Sequence, residues 1–331
     1  MNPIRIPELY CPANTAISPF VDEAILQVRE WIIRFKLIPH YLLAKYESQR
    51  FVHMTARFYP KITLTRLVLL SKFFTLLFLS DDELDHESNR KSQSFWREFA
   101  QQFMGVISGD LYFPPGSGNP AFEALTDCWS DMRRLSSLAW QRKFAESLKQ
   151  MYRAAFWENA NLVEGKRITI AEYIQLRQYL GAANIATDAI EFAYPDLHLP
   201  GEIMELPQIY TMVEKCRDTI CWANDLFSLA KELEHGGVHN LVMLIQAEQG
   251  LSLRRAIAET VRKHNNDVLE FLSSWKSIAG EGVHRSIVNE MALRLLNLMR
   301  GNIDWSVMDT SRYYGFSFAD VPLSPKIHII D

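Results

Sequence analysis

The clearest chemical signal in the chain is a group of carboxylates set where an apolar run stops. The stretch FLSDDELDHES, from Phe78 to Ser88, follows RLVLLSKFFTLLFL, from Arg66 to Leu79. If the two are one helix, Asp81 and Asp85 share a face, with Asp82 beside them. Like charges at that spacing repel by a few tenths of a kcal/mol (about 0.2–0.5) unless something neutralises them. A divalent cation would do so, because carboxylate oxygens are the ligands that hard Mg²⁺ prefers and Mg²⁺ commonly bridges them to phosphate oxygens. A solvated acidic helix end explains the same residues equally well.

A second constellation shifts that balance. In CWANDLFSLAKELEHGG, Asn224, Ser228 and Glu232 recur at every fourth position. On a helix they form a shallow stripe offering an amide oxygen, a hydroxyl and a carboxylate to one point. All three are oxygen donors suited to Mg²⁺. Lys231 adds a cation for a phosphate group. A polar helix face is the plainer explanation, but Trp222, Leu226, Phe227 and Leu229 surround the stripe with bulk that belongs in a core.

The elements that must position these groups are helical. Apolar residues recur with helical period and alternating β-branched runs are almost absent, which predicts an all-α fold. The pattern places helices near Val21 to Ile38, Leu64 to Ser88, Ala121 to Gly165, Ile170 to Phe192, Gly201 to Glu234, Leu251 to Ser277 and His284 to Met299. FPPGSGNP, YPDLHLPG and HGGVH have loop compositions. None has the length or bias of an interdomain linker, so residues 1–331 read as one domain, with a Pro-rich segment at 1–20 and a C-terminal segment at 305–331. The 331 residues are 48% apolar, enough for a substantial core. The net charge of -4 leaves no basic footprint for nucleic acid or an anionic membrane. Prolines interrupt the N-terminus where an export signal needs an apolar run, and the run ending at Leu79 contains Lys72 and is too short to span a bilayer. Cys11, Cys128, Cys216 and Cys221 lack metal or disulfide spacing and fit a reduced interior. The expectation is a cytoplasmic protein without stable membrane insertion. His235 and His239, separated by two glycines and a valine, read as a turn rather than as zinc ligands.

Taken together, the motifs resemble those of the bacterial class I terpene synthases. The aspartate-rich motif of that family is similar to Asp81, Asp82 and Asp85. Its NDxxSxxKE motif is matched by Asn224, Asp225, Ser228, Lys231 and Glu232. Its C-terminal RY pair resembles Arg312 and Tyr313 in WSVMDTSRYYG. Its diphosphate-sensing arginine, followed by a glycine that breaks a helix, resembles Arg177 and Gly181 in QLRQYLGAAN. One position departs: Leu180 precedes Gly181, where relatives often carry a polar residue. The likeness runs over nearly the whole chain, with the motifs in the family's order.

The resemblance implies a single-domain class I terpenoid synthase fold with a central apolar cavity, its two metal motifs facing each other across the mouth. It implies Mg²⁺, three ions in the family, with Mn²⁺ as a substitute. Asp81, Asp85, Asn224, Ser228 and Glu232 would hold metal, and Asp82 would hold metal or pair with Arg312 on closure. Arg177, Lys231, Arg312 and Tyr313 would bind diphosphate. Aromatic faces stabilise passing cations, and Phe74, Phe78, Phe156, Trp157, Trp305 and Tyr314 are candidates for the cavity wall. Trp305 leads them, because relatives place a tryptophan just before the RY pair. The implied substrate is a linear prenyl diphosphate, with farnesyl diphosphate and a sesquiterpene product ahead of geranylgeranyl diphosphate and a diterpene. A chain-elongating prenyltransferase would carry a second aspartate-rich motif, which is missing. The rival from another class is an inactive isoprenoid-binding helical protein. A homodimer is compatible with the family.

Overall fold

The computed structural model describes residues 4–84, 93–197, 201–234, 237–278 and 285–318. Backbone contacts divide the chain into two compact units. One comprises Ile17–Arg167 and Asn184–Asp196, the other Met1–Ala16, Ile168–Ala183 and Leu197–Asp331. Among the described residues, no helix is long and apolar enough to cross a membrane.

The first unit contains α1 (Val21–Arg34), α2 (Leu43–Ser48), α3 (Phe51–Phe58), α4 (Leu64–Leu84), α5 (Gln93–Ser108), α6 (Pro120–Arg134), α7 (Leu138–Glu164) and α9 (Ala183–Ala193). Its core is aromatic. Phe144 packs on Trp140 at 4.6 Å between ring centroids, on Phe73 at 5.3 Å and on Trp129 at 6.1 Å. Two of its buried indole N–H groups have acceptors, since Trp129 donates to the Ile107 carbonyl at 2.9 Å and Trp140 to the Asp188 carbonyl at 2.8 Å. That satisfies the one polar atom of an otherwise apolar ring. Through this core runs α4, buried from Leu67 to Ser71 and from Phe73 to Leu76, half-buried through Ser80 and exposed at Asp81 and Asp82. The apolar helix thus ends in acid because its last turn leaves the core.

The second unit is built around α11 (Pro207–Glu234), which packs on α13 (Leu253–Ile278), α14 (Arg285–Asp304), α12 (Leu241–Gln249) and α8 (Ile170–Leu180), with the one-turn α10 (Gly201–Met204) leading into it. The register of α11 on α13 is pinned where the Trp222 indole donates to Asp267 Oδ2 at 2.7 Å. The Lys215 ammonium stands 3.6 Å from Asp218, Asp267 and Glu270. A wide helical turn, Trp305–Asp309, follows α14.

Several expectations need correction. The helix expected from Ala121 to Gly165 is two helices, because the Ser137 side chain caps α7 by accepting from the Trp140 N–H at 3.1 Å; such a cap contributes about 1 kcal/mol. The helix expected from Ile170 to Phe192 also breaks, with Ala182 at φ 51° between α8 and α9. Helices α2, α3, α5 and α12 lie outside the expected set. So does a short parallel pair, β1 (Ile4–Ile6) with β2 (Phe316–Phe318), in the register Ile4 to Phe316 and Ile6 to Phe318.

Candidate metal and diphosphate site

Asn224, Ser228 and Glu232 stand on α11, flanked by the fully buried Trp222, Leu226, Phe227 and Leu229. Packing therefore fixes the helix, and the polar stripe has one way to face. The Ser228 hydroxyl donates to Glu232 Oε1 at 2.6 Å, and the Asn240 amide donates to the other oxygen, Oε2, at 2.8 Å. Burial pushes the Glu232 carboxyl above its ordinary pKa and the nearby Asp225 charge adds to this, while the bonds from Ser228 and Asn240 pull it back. A carboxylate held in that state favours a cation beside it.

Arg177 stands on α8, whose start is set by a capping box. Thr169 Oγ1 accepts from the Glu172 N–H at 3.2 Å and Glu172 Oε2 accepts from the Thr169 N–H at 2.8 Å. Two turns on, the buried Arg177 guanidinium donates through Nε to Asp225 Oδ1 at 2.8 Å and through Nη2 to Asn224 Oδ1 at 2.7 Å. Asp225 also accepts from the Tyr173 hydroxyl at 3.0 Å and from the Leu241 N–H at 2.9 Å. Burial disfavours the charged guanidinium, but the Asp225 charge, aided by Tyr173 and Cys221, more than reverses this, so Arg177 stays charged. Removing one partner of such a buried pair costs about 3–5 kcal/mol. The amide of Asn224 continues the chain by donating to the Tyr313 hydroxyl oxygen at 2.6 Å. Burial raises the Tyr313 phenol, so it remains a neutral O–H able to donate onward. The Trp305 ring meets Tyr313 edge-on at 5.6 Å.

Glycine is required beside this network. A Cβ on Gly181 would lie 2.5 Å from Arg177 Nη1, closer than any real carbon approaches. Gly315 turns the chain at φ 74°, and a Cβ there would lie 2.9 Å from that of Ala230 on α11. The segment carrying Arg312 and Tyr313 is thereby seated against the helix of the polar stripe.

The structure thus brings Arg177, Asn224 and Tyr313 into one hydrogen-bonded chain, and Ser228 and Glu232 into another. Arg177, expected on diphosphate, is engaged with Asp225 and Asn224. Gly181 directly follows the last residue of α8. Lys231 and Arg312 are half-buried, and the Arg312 N–H donates to Thr310 Oγ1 at 3.0 Å. Asp81 and Asp82 are exposed in the last turn of α4, in the other unit, and Asp85 lies outside the described residues. Among the aromatics, Phe74 and Trp305 are buried, while Phe78 stacks on Phe51 at 3.9 Å and Phe156 meets Trp96 at 6.2 Å. Trp157 is half-buried. Tyr314 is 47% exposed, and its hydroxyl donates to Glu234 at 2.6 Å. Cys216 and Cys221 are buried thiols whose pKa burial raises, so they are inert packing groups. Residues 237–240 form a loop beyond α11, in keeping with the turn read at His239; His235 lies outside the described residues.

Three working residues were not among the expected ones. Asp225 lies within the NDxxSxxKE match, where its acidity marks it. Tyr173 is one turn before Arg177, a spacing that puts both on one face. Asn240 carries no local signal, since its partners come from the preceding helix.

The donor set suits a hard divalent ion. Among the described residues no three His, Cys, Asp or Glu side chains gather as a metal site. Asn224, Ser228 and Glu232 instead present three oxygens of different kinds on one helix, with the Arg177 guanidinium bonded to the Asn224 oxygen.

Comparison with known proteins accords with this geometry. The family model described as "Terpene synthase family 2, C-terminal metal binding" matches residues 72–270, more than half of the chain. The chain is 27% identical over 294 residues to (+)-eremophilene synthase of Sorangium cellulosum, covering 86% of this chain and 85% of that one. It is 28% identical over 268 residues to the (2E,6E)-farnesyl diphosphate cyclizing (+)-T-muurolol synthase of Roseiflexus castenholzii, covering 80% of each. The fold matches the crystal structure of α-eudesmol synthase with a TM-score of 0.78 at 22% identity, over 91% of this chain and 98% of that one. The chain belongs to terpene synthase family 2 and is a metal-binding class I terpene synthase of the bacterial type.

Proposed function

We propose that the enzyme is a Mg²⁺-dependent cyclase of farnesyl diphosphate that forms a sesquiterpene and releases diphosphate. The observation that carries this reading is the oxygen stripe of Asn224, Ser228 and Glu232 with Arg177 bonded to its first member. The sesquiterpene assignment is supported by the relatives, one of which is described as cyclising (2E,6E)-farnesyl diphosphate. The match at 72–270 takes in residues of both compact units, which supports reading 1–331 as one synthase domain.

Diphosphate leaves carbon readily only when its developing charge is met. Mg²⁺ held by Asn224, Ser228 and Glu232, with Asp81 and Asp85 as further carboxylates, would supply most of that neutralisation. The chain's own donors do the rest. Arg177 and Arg312 offer forked N–H groups, Lys231 a point charge and Tyr313 a neutral hydroxyl. Asp82 would add a further carboxylate, and exclusion of water would protect a carbocation. Beyond ionisation, apolar and aromatic walls shape the folding of the chain, with Trp305 set by its contact with Tyr313.

The test is incubation of the purified protein with C10, C15 and C20 prenyl diphosphates, with Mg²⁺ or with a chelator, followed by product analysis. Cyclic C15 hydrocarbons or alcohols formed only with metal are expected. Preferred turnover of the C20 substrate would move the assignment to geranylgeranyl diphosphate, and absence of diphosphate release from all three would overturn the reading.

A further inference from the structure

Asn240 is wholly buried, at 0% exposure, just outside the polar stripe. It caps α12, where its Oδ1 accepts from the Val242 N–H at 2.9 Å. Its Nδ2 turns the other way and donates twice, to the Asp225 main-chain carbonyl at 2.7 Å and to Glu232 Oε2 at 2.8 Å. The orientation of the amide admits no alternative, since a flip would set its oxygen against two acceptors and its NH₂ against a donor. The next residue, Leu241, donates its N–H to Asp225 Oδ2 at 2.9 Å. The N-terminus of α12 therefore grips α11 at two points about two turns apart, and one of them is the carboxylate of the stripe.

The Glu232 side chain has several rotatable bonds and would sample many positions if unheld. Among the described residues, Ser228 donates to Oε1 and Asn240 to Oε2. A carboxylate offers about four lone-pair directions, so both oxygens keep capacity for a cation. Ser228 lies on the same helix and moves with it, whereas Asn240 comes from a different element and fixes the carboxylate from outside. We propose that Asn240 is a positioning residue for the cation site, holding Glu232 in the rotamer in which Glu232 and Ser228 meet a divalent ion together. This rests on the assignment of Glu232 as a metal ligand.

The test measures binding in the absence of organic substrate, by calorimetric titration of Mg²⁺ with inorganic pyrophosphate. Asn240→Ser keeps a good helix cap but is too short to reach Glu232; Asn240→Thr is a second variant of the same design, should the first not fold. Loss of a group that orients a metal ligand typically costs about 10–100-fold in affinity, and a loss of at least about 10-fold is expected here. The loss should vanish when Asn240→Ser is added to Glu232→Gln, because a residue that acts through Glu232 has nothing left to position. Full affinity in Asn240→Ser or Asn240→Thr, with Glu232→Gln weakened, would overturn the proposal and leave the metal assignment intact. An undiminished loss in the Glu232→Gln background would also overturn it, by showing a general structural effect. Full affinity in Glu232→Gln itself would overturn the metal assignment and the proposal with it.

Discussion

The proposed metal and diphosphate chemistry rests on single side chains, and three substitutions probe it directly. Glu232→Ala removes the one carboxylate of the α11 stripe, and turnover is expected to fall about 100-fold or more. Asp81→Ala should show a comparable loss with unchanged helix content by circular dichroism, because Asp81 is exposed in the last turn of α4. Near-normal turnover of either variant at limiting Mg²⁺ would remove that residue from the metal set. Arg312→Lys separates charge from geometry. Lysine keeps the positive charge but not the planar fork that grips phosphate through parallel hydrogen bonds. The variant should fold and retain part of its diphosphate affinity, with lower kcat and a share of flux diverted to linear or water-quenched alcohols. A parental rate and product profile would return Arg312 to the ordinary surface arginines.

At the scale of elements, the segment that carries Arg312 and Tyr313 is held by a close approach. Gly315 seats the Arg312–Tyr313 segment on α11, with φ 74° and room for no Cβ beside Ala230. Gly315→Ala should therefore destabilise by about 1–3 kcal/mol, from left-handed strain together with the clash. Ala230→Gly should relieve the clash alone, so the double variant should lose less than the sum of the two singles in denaturant midpoints. Strict additivity would show that the segment does not bear on α11 there. This scale also divides what the sequence discloses from what it does not. The start of α4 and the polar stripe of α11 were readable, because period and composition agree over several turns in each. The break before α7 was not, because a capping serine acts against an otherwise continuous helical pattern. The pairing of Ile4–Ile6 with Phe316–Phe318 was hidden by sequence distance, and three-residue strands leave no alternation to detect. Arg177 was identifiable by its motif, but its partner Asp225 came into view only when α8 and α11 were placed side by side. Nothing local distinguishes Asn240 from any other asparagine in a turn.

For the molecule as a whole, stability is set partly by two buried groups of the second unit that titrate in opposite senses. His264 is 1% exposed, and burial lowers its pKa to about 4. Its Nδ1 donates to Asn265 Oδ1 at 3.0 Å, an oxygen that also accepts the Tyr10 N–H at 2.9 Å, so the neutral Nδ1–H tautomer is the one bound. Asp218 is 7% exposed, and burial, reinforced by the Asp267 charge, raises its pKa to about 7 despite Lys215. Between about pH 4 and 6.5 the unfolded chain holds a proton on the histidine that the folded chain lacks. The His264 contribution is therefore present above pH 6.5 and is lost as pH falls through the folded value. In the same interval the folded chain holds a proton on Asp218 that the unfolded chain has released, so that contribution is lost as pH rises towards 7. Each alone gives a slope of up to about 1.4 kcal/mol per pH unit, and the two oppose. His264→Gln should unmask the aspartate, giving a protein whose unfolding free energy, relative to the parent, declines as pH rises from 4 to 6.5. Asp218→Asn should unmask the histidine and give the reverse trend. Urea unfolding across this range reads both signs. Parallel pH profiles for parent and either variant would show that the substituted group has the same proton affinity folded and unfolded, and would remove it from the molecule's pH response.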